Sequence, residues 1–135
     1  MKFVAACARV TLIASLTSLS SCFDLFEQCR SFSDRICLYN LDTGENYYLM
    51  DLRKSVDQGG GVIDGVVLKI GWNDKYVFAW RYSIFRGDPD GWMVVNKETG
   101  WVGGPYDAKD PRIAGSLSKI EIIKPAEAWE RLGLF

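Results

Sequence analysis

Histidine is absent from all 135 residues. That absence removes the Ser-His-Asp triad, the Cys-His dyad, His-ligated metal sites and the usual proton shuttle near neutral pH. An excess of charge of one sign is missing too. Sixteen basic residues face 17 acidic ones, and without residues 1–21, whose only charges are Lys2 and Arg9, the balance is 14 to 17. Phosphate binding needs a concentrated positive field, so this balance argues against nucleic acid as a partner. There is neither an internal repeat nor a low-complexity tract. What is present is ordinary globular composition, 48% hydrophobic and 24% charged, which excludes disorder and collagen-like or coiled-coil rods. The chain beyond residue 21 is of single-domain size.

The first segment reads as an address. Lys2 and Arg9 precede an apolar stretch from Val10 to Leu19 broken only by Thr and Ser. Ten helical residues rise about 15 Å against a hydrocarbon core of about 30 Å, so the stretch fits an export signal and not a spanning helix. Leu19-Ser20-Ser21-Cys22 resembles the bacterial lipobox. The resemblance implies cleavage after Ser21, acylation of Cys22, and a division into a lipoprotein signal peptide (1–21), a lipidated tether (22–34) and one antiparallel β-rich domain (35–135). Several acyl chains on one residue hold a protein far more firmly than one. Phe23 follows in place of Asp, which by the same analogy points to the outer membrane, facing the periplasm, in a Gram-negative cell, or to the outer face of the plasma membrane where there is no outer membrane. The alternative is an ordinary secreted protein cut near Ser20 or Ser21, with Cys22 free or disulfide-bonded.

Four cysteines, less Cys7 in the leader and Cys22 under lipid, leave Cys29 and Cys37. In an oxidising compartment an even pair suggests a disulfide. Two thiols alone are too few for a metal site and have no histidine to recruit.

Beyond residue 34 the hydrophobic period is two. Arg35–Leu41 and Glu45–Leu52, the latter with Tyr48, Met50 and Leu52 on one face, flank the hairpin chemistry of Asp42-Thr43-Gly44. Val62, Val66, Leu68, Ile70 and Trp72 line one side of a long strand. Tyr76, Phe78, Trp80, Tyr82 and Ile84 share one parity of the next, against Val77, Ala79, Arg81 and Ser83, a pattern that fits a strand with a bulky aromatic face. After the break at residues 87–91, Trp92–Asn96 is a strand, Lys97-Glu98-Thr99-Gly100 a turn and Trp101-Val102 the start of the return. Asp110-Pro111 predicts a short helix toward Leu117, Lys119–Ile123 a strand, and Pro125 a final helix ending at Gly133. Together these predict an α+β, mainly β fold: a single antiparallel sheet of five to seven strands, strongly curved if need be, with one or two short C-terminal helices.

Gly71-Trp72-Asn73-Asp74-Lys75-Tyr76-Val77, the strand Trp92-Met93-Val94-Val95-Asn96-Lys97 and Gly104-Pro105-Tyr106 resemble segments of an uncharacterised family of small bacterial lipoproteins. The likeness runs over about residues 62 to 123, and it departs at Tyr106-Asp107, where that family implies an immediate acidic helix. It implies a lipobox joined to an aromatic-rich sheet, with no assigned activity. In size, anchor and sheet-rich body the chain is also similar, at class level, to periplasmic effector-immunity lipoproteins.

Few constellations point to chemistry. Asp88-Pro89-Asp90-Gly91 has alternating carboxylates but too few oxygens for calcium, and reads as a turn. Gly59-Gly60-Gly61 has no Lys-Ser/Thr after it and reads as a loop. Of the carboxylates Asp51, Asp57, Asp64 and Asp74, all but Asp64 fall at turns or on exposed parity, which leaves Asp64 as the one candidate for burial and acid/base work. The aromatics say more: five Trp, six Tyr and seven Phe include Tyr47, Trp92, Trp101 and Tyr106 near turns, rimmed by Arg81, Arg86 and Asp90. Trp92, Trp101, Tyr106, Arg86 and Asp90 form the candidate binding surface; the alternative is that the aromatic stripe, and Trp92 and Trp101 with it, is core. No metal or cofactor is expected. The reading is a non-enzymatic, lipid-anchored envelope protein, held to the membrane through Cys22, that binds a protein partner and in its most concrete form neutralises a secreted effector. The alternatives are a structural or stress-related lipoprotein touching cell wall or an outer-membrane assembly, and a small carboxylate-dependent hydrolase.

Overall fold

The computed structural model describes residues 28–40, 46–54, 61–63, 65–83 and 87–134. The leader, Cys22, Asp57, Asp64, Arg86 and the 42–44 turn lie outside them. Among the described residues, seven strands and two helices follow in chain order: β1 (Cys29–Ser31), β2 (Ile36–Asn40), β3 (Tyr47–Asp51), β4 (Val66–Trp72), β5 (Tyr76–Tyr82), β6 (Gly91–Asn96), β7 (Val102–Tyr106), α1 (Ala114–Leu117) and α2 (Pro125–Leu132). All strand pairs are antiparallel. The mainly β class with short C-terminal helices is as expected.

The strands form two sheets, β1-β2-β3 and β4-β5-β6-β7, where a single sheet was expected. Burial explains the split. Ile36 and Leu38 of β2 and Leu49 of β3 form one core cluster with Val67, Ile70, Val77, Ala79, Met93 and Val95 of the larger sheet. Alternate positions on both sheets are apolar, and stacking face to face removes both sets from water, which edge-to-edge joining would not. Helix α2 adds Ala128 and Trp129 to the same core. Its ends follow the sequence, with Pro125 in the first turn and Gly133 as the C-cap.

Three local expectations are corrected. Cys29–Ser31, within the stretch read as tether, is a strand paired with β2. On β4 the register slips between Val67 and Lys69. Leu68 is therefore an extra residue and 46% exposed, while Val67 and Ile70 are buried, so the even-numbered face does not run unbroken through the bulge. Lys119–Ile123 is no strand, and only Ile123 bridges Ile70. There the chain wraps the edge of β4, sending Ile123 into the first core and Ile120 and Ile122 against a second. Gly71 permits the crossing, because a Cβ there would lie 2.6 Å from the Glu121 carbonyl oxygen and 2.8 Å from Ile122.

Candidate functional site

The site builds from the face of the four-stranded sheet that points away from β1–β3. Register places Lys69 opposite Trp80, Trp80 opposite Trp92 and Trp92 opposite Tyr106, so an aromatic row crosses three strands. Phe78 and Val94 form the next row and Tyr76 and Asn96 the one after. The segment after β7 lies over the middle of this face, where buried Ile113, with Leu117, Ile120 and Ile122, packs on Phe78, Trp92 and Val94. Asp110 starts that segment: its carbonyl accepts from the Ile113 and Ala114 amides at 3.0 and 2.9 Å, and its Oδ1 accepts from the Arg112 amide at 2.9 Å. The helix itself begins at Ala114, later than Asp110-Pro111 suggested.

The cover leaves two hollows that share Tyr106. One, about 370 Å³, is lined by Tyr76, Phe78, Trp101, Tyr106, Arg112 and Ser116 among others. The other, about 490 Å³, lies between the row of Trp80, Trp92 and Tyr106 and the segments carrying Asp90 and Asp107. Trp101 is 53% exposed and folds across Gly103, whose hydrogen in place of a Cβ leaves room for the indole and for the Tyr106 hydroxyl, 2.6 Å from where that Cβ would be. The Arg112 guanidinium stacks 4.3 Å from the Tyr106 ring centroid. It donates through Nε and Nη2 to both Asp110 oxygens, at 2.9 and 2.6 Å. Those bonds, with the Arg112 amide, hold the Asp110 carboxyl well below the usual carboxylate range, at about 2. In the second hollow each carboxylate is aimed by a backbone amide: Asp90 Oδ1 accepts from Ser83 at 2.7 Å and Asp107 Oδ1 from Lys109 at 2.8 Å.

Of the five residues of the expected binding surface, Trp101, Tyr106, Trp92 and Asp90 do line these adjoining hollows. Tyr47 and Arg81, read with the same surface, are buried. Trp92, which the sequence leaves open between core and surface, is 8% exposed and forms part of a floor, because the cover packs against it. Along β5 the aromatic stripe passes from buried Phe78 through half-buried Trp80 to exposed Tyr82. The carboxylate ranking is also corrected. Asp51, read at a turn or on exposed parity, is 1% exposed, because β3 buries Tyr47, Leu49 and Asp51, the parity opposite to Tyr48, Met50 and Leu52; its Oδ2 accepts from Arg35 Nε and Nη2 at 2.9 and 2.8 Å. This pair is structural, since Arg35 also reaches the Glu98 carbonyl and lies against Gly100, tying the small sheet to the β6–β7 turn. Cys29 and Cys37 are disulfide-bonded, with Cα atoms 5.8 Å apart. Among the described residues no group of three His, Cys, Asp or Glu side chains could hold a metal ion, and no helix is long and apolar enough to cross a membrane.

Sequence reasoning missed Asp107, Asp110 and Arg112. Asp110-Pro111 reads as a helix start, but nothing in the spacing says that Arg112 returns to stack on Tyr106. Comparison with family models, curated proteins and solved structures finds no match.

Proposed function

We propose that this is a non-enzymatic protein of the cell envelope, tethered to the membrane by a lipid on Cys22, that binds a protein partner through the aromatic face of its larger sheet. The observation that carries the reading is Trp101: a large indole half in water, laid over a glycine and beside Tyr106 and a stacked arginine. Burying such a ring against a partner stabilises a complex strongly, and Trp, Tyr and Arg are the residue types that dominate binding energy. Neutralising a secreted effector in the periplasm is the most concrete form of this function, and it accords with the small size, the anchor motif and the sheet-rich body. The lipobox and the even cysteine pair support an extracytoplasmic site.

Two measurements test the reading together. Trp101→Ala, which removes an exposed ring, is expected to leave the melting temperature within a few degrees of wild type while reducing cross-linking to the envelope partner at least tenfold, the loss typical of a central aromatic anchor. Cys22→Ser is expected to move the protein from the membrane to the soluble envelope fraction. Partner cross-linking that survives Trp101→Ala overturns the assignment of the surface, and membrane retention of the Cys22→Ser variant overturns the anchor. If the cross-linked species is cell wall, the structural-lipoprotein alternative takes over.

A further inference from the structure

The second hollow has its own chemistry. Its floor is aromatic, from Trp80, Trp92 and Tyr106, and its two charged lining residues, Asp90 and Asp107, are both carboxylates. Arg112 lines the neighbouring hollow, and Lys69, opposite Trp80 on β4, lines a different one. Each carboxylate commits Oδ1 to a backbone amide, which aims the group, and both aspartates are exposed. Ring faces carry negative potential, so rings and carboxylates act on a guest in the same direction: they attract a cation and repel an anion.

Resting on the proposed function, we infer that this hollow receives a basic side chain of the partner polypeptide, arginine in preference to lysine. A planar guanidinium can lie on the rings and present its N–H fork to the free carboxylate oxygens, whereas an ammonium is a compact, strongly hydrated point charge that matches the rings less well. The size agrees, since about 490 Å³ falls within the range of built binding clefts. The partner is therefore a protein that presents an exposed arginine beside an apolar group, the latter seated at Trp101.

The probe is the peptide N-acetyl-Gly-Arg-Gly-amide, titrated into the purified full chain while the five tryptophan indole N–H resonances are followed. The Trp80 and Trp92 signals are expected to move saturably and Trp101 to stay. The isosteric citrulline peptide, uncharged, is expected to bind at least fivefold more weakly. Asp90→Asn with Asp107→Asn, two surface changes, is expected to weaken the arginine peptide about fivefold, the size of two exposed charge contacts. Equal binding of the citrulline peptide overturns the inference, and because that comparison uses the unaltered protein it holds even if the variants misfold. Undiminished binding by a folded double variant, or movement confined to Trp101, overturns it as well. The two readings fail separately: partner capture that needs Trp101 but not Asp90 and Asp107 leaves the proposed function standing, and peptide binding without Trp101-dependent capture leaves only this inference.

Discussion

At the scale of single residues, Asp51 is a costly side chain to bury. A carboxylate taken out of water loses several kcal/mol of hydration unless a partner compensates. Here compensation comes from the Arg35 fork and from the Arg53 amide, which donates to Oδ1 at 2.9 Å. Burial by itself pushes the Asp51 pKa up, but the Arg35 and Arg53 hydrogen bonds and the charges of Arg35 and Lys54 outweigh it, so the net direction is down. A carboxyl whose folded pKa lies below its unfolded one stabilises fully above the ordinary value of about 3.9, and that contribution is lost as pH falls through the lower folded value. Asp51→Asn is therefore expected to cost about 3 kcal/mol at pH 7, the low end for breaking a buried pair, because the Arg35 side chain keeps 19% of its surface in water. The deficit, measured by urea unfolding, should shrink as pH falls below the ordinary carboxylate value and through the lowered folded one. A deficit that does not change with pH would mean that packing, and not charge, holds Asp51.

At the scale of elements, β1 is the shortest strand among the described residues, at three residues, and its attachment depends on more than its ladder. The disulfide joins Cys29 to Cys37 across a separation of eight, and Arg30 lies 5.2 Å over the Trp129 ring of α2. Closing so short a loop removes about 2 to 3 kcal/mol of unfolded-state entropy on the chain model. Replacing both cysteines by serine is expected to lower the unfolding free energy by that amount and to speed amide exchange in β1 far more than in β5. Uniform exchange across both strands would contradict this. The pairing of Cys29 with Cys37 was readable once Cys7 was set aside with the export signal and Cys22 with the lipobox resemblance, β5 and β6 from their alternation, and α2 from Pro125 and Gly133. What could not be read depended on partners distant in sequence. Asp51 is buried because Arg35, 16 residues away, meets it across the β2–β3 pair. Trp92 and Trp101 both flank turns, and only the path of the segment carrying Ile113 decides that one is floor and the other exposed. The division into two sheets follows from which apolar faces meet, and a period of two specifies faces without specifying their neighbours.

At the scale of the whole molecule, the layers order themselves: β1–β3 with α2 on one side, the four-stranded sheet in the middle, and the α1 segment with the aromatic hollows on the other. Chain arriving from Cys22 enters at β1, in the layer opposite the hollows. Cys29 follows Cys22 by seven positions, and at full extension those seven steps span about 25 Å at most. If Cys22 carries lipid, so short a tether draws the β1 layer toward the bilayer, and the middle sheet then separates the bilayer from Trp101. The expected result in vesicles bearing the lipidated protein is that the emission lost on Trp101→Phe, taken as the difference between the two spectra, is quenched by aqueous acrylamide and not by brominated acyl chains. That replacement keeps an aromatic ring at an exposed position, so the fold is expected to persist and the difference to report one indole. Quenching by the brominated lipids would place Trp101 against the membrane, make lipid the occupant of the aromatic face, and remove the basis for a protein partner there.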